Sequence, residues 1–109
     1  MRRYTTPIHV FELPFSTSDI SKVRIIYAQP LHGGSQFDDF DQVLVKELKH
    51  CSIDGNTIML RLTQEDTAKL DCNKRVGIQL HVLDINGQSH VSDPIYKSVG
   101  GCFDTEVLQ

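Results

Sequence analysis

Apolar and polar side chains alternate along several short stretches of the chain, and this period of two is typical of β-strands with one buried face. The clearest examples are Ile58–Leu62 and Val76–Val82, in which every second residue is a branched aliphatic. Two shorter stretches, Val10–Leu13 and Lys22–Tyr27, repeat the pattern, whereas Gln42–Leu48 has no clear sidedness. The alternation predicts a core made of Phe11, Leu13, Val23, Ile25, Tyr27, Ile58, Leu60, Leu62, Ile78, Leu80 and Val82.

Turn-forming residues separate the predicted strands. Asp54–Asn56 and Asn86–Gly87 both favour tight hairpins, because type I′ turns need residues that tolerate a positive φ. A two-residue turn at Asn86–Gly87 would place Val82 opposite Val91, so Val91 is expected on the core side. Pro94 lacks a backbone N–H and therefore predicts a sheet edge or a bulge in the last strand.

One segment departs from the alternation. Thr63 followed by Asp66 approximates a helix capping box, which predicts a short helix near 63–70. Six or seven short strands joined by turns and one short helix are typical of an antiparallel β-sandwich, and a small barrel is the alternative. We expect this single domain to occupy residues 1–100 and to be followed by a C-terminal tail over 101–109.

A long segment without a strand pattern, Gln29–Asp41, carries the first candidate binding residues. It contains Phe37 and Phe40, which alternate with aspartates. Exposed aromatic side chains flanked by polar residues can form a binding patch for protein or for sugar. Alternatively, the two rings fold back over one end of the core.

The C-terminal tail carries the second candidate set. Phe103, Val107 and Leu108 are apolar and follow a flexible diglycine. Leaving them in water forgoes roughly 1.5–3 kcal/mol for each large side chain that could be buried. The tail is therefore expected to dock on a neighbouring chain, and a frayed terminus is the alternative.

Composition narrows the class of protein. Of 109 residues, 39% are hydrophobic and 23% are charged, which describes a globular domain. The formal net charge of -3 argues against nucleic acid as a partner, since a phosphate backbone needs a concentrated basic surface. No apolar run approaches the roughly 20 residues that span a bilayer, and no apolar h-region follows Arg2–Arg3. A cytoplasmic protein without a signal peptide or a membrane contact is expected.

The residues with reactive side chains do not form a recognisable catalytic or metal-binding motif. The odd count of three cysteines predicts free thiols, and Cys51 and Cys72 are expected to be small, partly buried residues. His50 precedes Cys51, but neighbours in a strand point to opposite faces. His81 and His90 would share the outer face of the last hairpin, yet two histidines do not make a tight zinc site. We therefore expect no metal, no cofactor and no enzymatic activity.

Three stretches of the chain resemble small prophage-encoded proteins of Gram-positive bacteria. They are Phe11–Phe15, Cys51–Thr67 and Gly101–Leu108, and the resemblance covers nearly the whole chain. It implies a protein from a phage structural or tail module. The layout of strands and helix is also similar to the immunoglobulin-like N-terminal domain of phage upper baseplate proteins. The resemblance implies no catalytic residues, and the chain departs from it at Gln29–Asp41, where a shorter turn is expected.

These observations lead to one main hypothesis and two alternatives. The chain is expected to be an all-β, immunoglobulin-like sandwich that serves as a structural protein of a phage tail or baseplate. It would be made in the cytoplasm and then enter the virion, forming a homo-oligomer and docking to other virion proteins through edge strands and the tail. The first alternative is a recognition module that binds a carbohydrate or a host surface protein through 37–41. The second is a small enzyme, which no residue pattern supports.

Overall fold

The computed structural model describes residues 1–30, 40–101 and 107–108, and these residues form two antiparallel β-sheets that enclose one apolar core. A short helix, α1 (Gln64–Ala68), connects the sheets. In chain order the strands are β1 (Ile8–Glu12), β2 (Ile20–Pro30), β3 (Phe40–Glu47), β4 (Cys51–Asp54), β5 (Thr57–Arg61), β6 (Val76–Asp84), β7 (Ser89–Val91) and β8 (Ile95–Lys97).

The order of the strands is that of an immunoglobulin-like sandwich. One sheet has the order β1-β5-β4, and the other has the order β3-β2-β6, with β7 and β8 lying one after the other along β6. In immunoglobulin nomenclature these correspond to B-E-D and C′-C-F-G, with strand G interrupted around Pro94. The predicted all-β sandwich is therefore confirmed. Among the described residues no strand takes the position of strand A, beside β1.

The core consists of the residues that alternation predicts, together with a few that it does not. Ten of the eleven predicted core residues are buried, and Phe11 is half-buried and packs against them. Tyr27 and Ile25 on β2 have no exposed surface at all. The buried core also includes Val76, which begins the alternation of β6, and Leu44, Leu70 and Val99, which alternation did not predict.

The strands β2 and β3 continue farther than the sequence predicts. The predicted irregular segment 29–41 is too long at both ends, because Gln29 still pairs with Asp41 and Pro30 with Phe40. The side-chain amide of Gln29 also holds the backbone of the segment after α1, donating one hydrogen bond of 2.8 Å and accepting another of 2.9 Å. The rest of that segment lies outside the described residues.

The hairpin between β6 and β7 differs from the prediction by one residue. The N–H of Asp84 donates to the carbonyl of Gln88 at 2.9 Å, so the turn has three residues rather than two. Gly87 has a φ of 82°, and the carboxylate of Asp84 accepts from two backbone N–H groups of the turn at 2.9 Å each. The extra residue shifts the register by one position, so every side chain of β7 lies on the opposite face of the sheet from the one predicted. Val91 therefore faces outward and is 56% exposed, so its predicted core position is wrong.

The predicted capping box at α1 is present and also ties the helix to β3. The hydroxyl of Thr63 accepts from the N–H of Asp66 at 3.1 Å, and the Asp66 carboxylate accepts from the N–H of Thr63 at 2.9 Å. That carboxylate also lies 2.9 Å from Nζ of Lys46. Burial acts to raise the pKa of Asp66, but the Thr63 and Lys46 contacts outweigh it and leave the pKa below its usual value.

Replacing a core residue and its outward neighbour tests the assignment of faces. Leu60→Ala removes a side chain that is 1% exposed, and we expect the free energy of unfolding to fall by about 2–5 kcal/mol. Met59→Ala is the matched control, because Met59 is adjacent, faces outward and is 41% exposed. Urea denaturation of both variants measures the difference. Similar losses in the two variants would show that the faces are wrongly assigned.

Candidate binding surfaces

The three-stranded sheet ends at β1, and the outer edge of this strand is unpaired among the described residues. Pro7 and Leu13, just outside the two ends of β1, make backbone hydrogen bonds of 3.0 and 2.8 Å across to the β5 side. Bonded positions alternate along an antiparallel strand. It follows that Ile8, Val10 and Glu12 direct their N–H and C=O groups away from β5, into the open edge.

A cleft of about 320 Å³ lies between this edge and β8. Ile8 and Val10 are 50% and 56% exposed on the β1 side, and their side chains lie on the face of the strand opposite to that of His9 and Phe11. On the β8 side, Ile95 pairs with the buried Ile78 and so points to the core side of its sheet. Ile95 is nevertheless 54% exposed, because no described strand extends the β1 sheet over it.

His9, which lines the cleft, pairs with the buried Tyr27 behind it. Nδ1 of His9 lies 2.7 Å from the hydroxyl of Tyr27. Burial lowers the pKa of the His9 imidazole, and the charge of Lys97 acts in the same direction. Burial also raises the pKa of the Tyr27 phenol. A ligand in the cleft would therefore meet the His9 imidazole, whose pKa is lowered, together with aliphatic side chains and the ammonium group of Lys97.

A second concave surface, which we call the aromatic groove, lies on the outer face of the other sheet and has a volume of about 130 Å³. Phe40 and Tyr96, which are 47% and 43% exposed, line it, and the guanidinium carbon of Arg75 lies 5.2 Å from the centroid of the Tyr96 ring. Between them lie the small residues Ala28 and Gly77, which pair with each other across β2 and β6. Ile26, Gln42, Gln79 and Pro94 complete the lining.

Of the predicted binding residues in the 29–41 segment, the structure describes Phe40. Its ring is exposed in the aromatic groove and is not part of the core. Phe37 lies outside the described residues.

The described part of the tail lies against the chain's own helix. The side-chain amide of Gln64 donates to the carbonyl of Leu108 at 2.8 Å and accepts from its N–H at 2.7 Å. Val107 is half-buried there, whereas Leu108 is 75% exposed. Phe103 lies outside the described residues. Val107 and Leu108 line a different concave surface from the one that Phe40 lines, and a tail contact with a neighbouring chain stays a prediction.

The two histidines of the β6–β7 hairpin lie on opposite faces and not on one face as predicted. The one-residue shift turns His90 inward, where it lies 3.1 Å from a carboxylate oxygen of Asp84 and 5.1 Å from the ring of Phe15. His81 faces outward and contacts the hydroxyl of Ser89 at 2.6 Å. In the described ranges, no group of three or more His, Cys, Asp or Glu side chains is arranged to hold a metal ion.

The two cysteines in the described part of the chain differ in their surroundings. Cys51 is half-buried, as expected, and burial raises the pKa of its thiol. Cys72 is exposed, because it lies in the turn that follows α1, so its predicted burial is wrong. Both thiols are free.

Sequence reasoning missed the open edge of β1, although the sequence does indicate that both faces of this strand are apolar. Ile8 and Val10 are apolar at alternate positions, and so is Phe11 on the opposite face of the same strand. A strand that is apolar on both faces is usually covered on both faces. The second wall of the aromatic groove, Tyr96, was also missed, because its position opposite Gly77 depends on the pairing of β8 with β6.

The lowered pKa of His9 predicts a pH dependence of stability. Because the folded protein favours the neutral imidazole, the unfolded chain binds more protons as the pH falls below the ordinary value of about 6.5. Stability is therefore complete above that value and declines as the pH falls through the folded pKa. We expect His9→Gln, which can still bond to Tyr27, to reduce this decline in urea titrations from about pH 8 to pH 5. An unchanged pH profile would contradict it.

Within the described residues, no helix has the length and apolar character needed to cross a membrane. Comparison of the chain with protein-family models, with curated proteins and with solved structures gave no match.

Proposed function

We propose that this chain is a non-enzymatic structural protein of a phage or prophage tail or baseplate, which acts by docking to other protein chains and to copies of itself. The phage context is supported by the resemblance of three stretches to small prophage-encoded proteins. The docking role is supported by one structural observation, the open edge of β1. The two parts of the proposal are therefore supported independently and need separate measurements.

The edge of β1 has few of the features that keep sheet edges from pairing. Natural proteins protect exposed edges with lysine, proline, bulges or a covering segment. From Ile8 to Glu12 the only charged side chain is the terminal glutamate, and no proline occurs. Ile8 and Val10 stay half exposed beside it. By contrast β3, which forms one edge of the other sheet, contains Asp41, Lys46 and Glu47 and has a register irregularity in its pairing with β2.

The test of the proposal is the composition of purified particles. We expect quantitative mass spectrometry to detect the chain in phage particles from a host that expresses it. Val10→Pro removes an N–H that points into the open edge and leaves the β1–β5 bonds intact, so this variant should be depleted from particles. Val10→Thr retains the N–H and is the matched control, and thermal unfolding verifies that both variants fold.

A different experimental result would reject each part of the proposal. Absence of the wild-type chain from particles would reject the virion role. Equal incorporation of the proline and threonine variants would reject the role of the β1 edge.

The aromatic groove favours a second candidate function, the recognition of a carbohydrate. The aromatic face of Phe40 can pack on an apolar surface of a ligand, and the amides of Gln42 and Gln79 are suited to hydroxyl groups. On a glycan array, we expect Phe40→Ala to abolish any signal of the wild-type protein. Val45→Ala is the control, because Val45 is an exposed residue on the same strand outside the groove. No wild-type signal, or equal signals from both variants, would reject this candidate.

A further inference from the structure

We infer that the edge of β1 and the cleft beside β8 accept one extended strand from a different polypeptide, paired antiparallel to β1. This inference rests on the proposed function and specifies the chemistry of the partner at the same edge. The strand would take the position beside β1 that strand A has in an immunoglobulin-like sandwich. Among the described residues, the N-terminal segment of this chain pairs instead in parallel with the chain after β8, through a bridge between Arg2 and Gly100. Main-chain hydrogen bonds supply affinity in this mode of recognition, and pockets for alternate side chains supply specificity.

The backbone of β1 has the donors and acceptors that such a strand requires. Ile8, Val10 and Glu12 each direct one N–H and one C=O group into the open edge, at a spacing of two residues. The bonded positions of an antiparallel partner repeat at the same spacing. A five-residue segment can therefore bond to all three residues without any change in the pairing of β1 with β5.

The cleft determines which side chains the incoming strand carries. Side chains on its inner face would point toward β8, where Ile95 is half exposed and Ile78 lies behind it in the core. Two packed sheets are about 10 Å apart, so side chains from a strand at this position reach the opposite sheet. The inward positions of the partner are therefore apolar, and burial of Ile95 adds to the stability of the complex.

The charges beside the edge give the partner a direction. Arg61 pairs with Ile8 at one end of β1, and Lys97 lies near enough to the neighbouring His9 to influence its imidazole. Glu12 lies at the other end. An antiparallel strand passes Glu12 first and Ile8 last. The best-matched partner therefore has a basic residue near its N-terminal end and an acidic residue near its C-terminal end.

A second copy of this chain is the competing occupant. Two β1 strands can pair antiparallel about Val10, and Glu12 of one copy would then lie opposite Ile8 of the other. This arrangement satisfies the backbone groups. It provides no side chain to fill the cleft, however, because His9 and Phe11 of the second copy already pack inside that copy's own sandwich. The cleft is therefore better explained by a segment that has no core of its own.

The experiment selects binding peptides for the purified full chain from a displayed library of random dodecapeptides. We expect enrichment of peptides with alternating apolar residues, a basic residue early and an acidic residue late. Synthetic versions should lose at least about tenfold in affinity for Val10→Pro and for Ile95→Asp. Val10→Thr, which retains the backbone N–H, and Val45→Ala, which alters an exposed residue of the other sheet outside the cleft, should bind like the wild type. Methylation of the peptide nitrogens that face β1 should abolish binding. Methylation of the nitrogens between them should leave binding unchanged.

Three results would overturn the inference. The first is a library that yields no binding peptide, and the second is a set of peptides whose affinity is the same for Val10→Pro and Val10→Thr. The third is a wild-type dimer in sedimentation velocity that Val10→Pro dissociates, because the occupant is then a second copy. The proposed function fails separately, by absence of the chain from particles, whereas a chain that enters particles but binds no peptide contradicts this inference alone.

Discussion

The pairing of β2 with β6 is the interaction on which the rest of the sandwich depends. These two strands are paired from Ile20 opposite Asp84 to Ala28 opposite Gly77, and each has a further strand on its other side. Their inward residues form the buried apolar surface against which the β1-β5-β4 sheet packs. Because both edges of the two central strands are used, strand addition is possible only at the periphery of the molecule. The open edge of β1 is such a peripheral position.

Alternation in the sequence was sufficient to predict most of the core. It failed for side chains whose face depends on the strand register or on neighbouring strands. The inward residues of β5 and β6 were predicted correctly because one-sided alternation leaves a strand few other ways to bury its aliphatics. The position of Val91 was wrong because the turn, not the strand, determines its face. The carboxylate of Asp84 accepts two N–H groups of the turn and stabilises a three-residue loop, which the Asn86–Gly87 pair alone does not reveal.

The candidate site was less predictable than the fold, for a physical reason. Whether a strand lies at an edge depends on which strands pair with it, and those partners are far away in sequence. β1 pairs with β5, some fifty residues later, and nothing local to Ile8 and Val10 shows that their other side stays open. Phe40 was predicted because an aromatic residue between aspartates is unusual locally. Tyr96 and Ile95 became candidates only through the pairing of β8 with β6.

The open edge and the neutral His9 are physically linked. A strand that covered the cleft would remove more water from His9, and desolvation disfavours the charged imidazole. Lys97 already acts in that direction, and Tyr27 needs no charged partner for its hydrogen bond. Covering the cleft therefore costs little while His9 is neutral and more once it is protonated. If a partner strand binds there as inferred, protonation of His9 would oppose its binding, because the imidazole lies in the lining of the cleft.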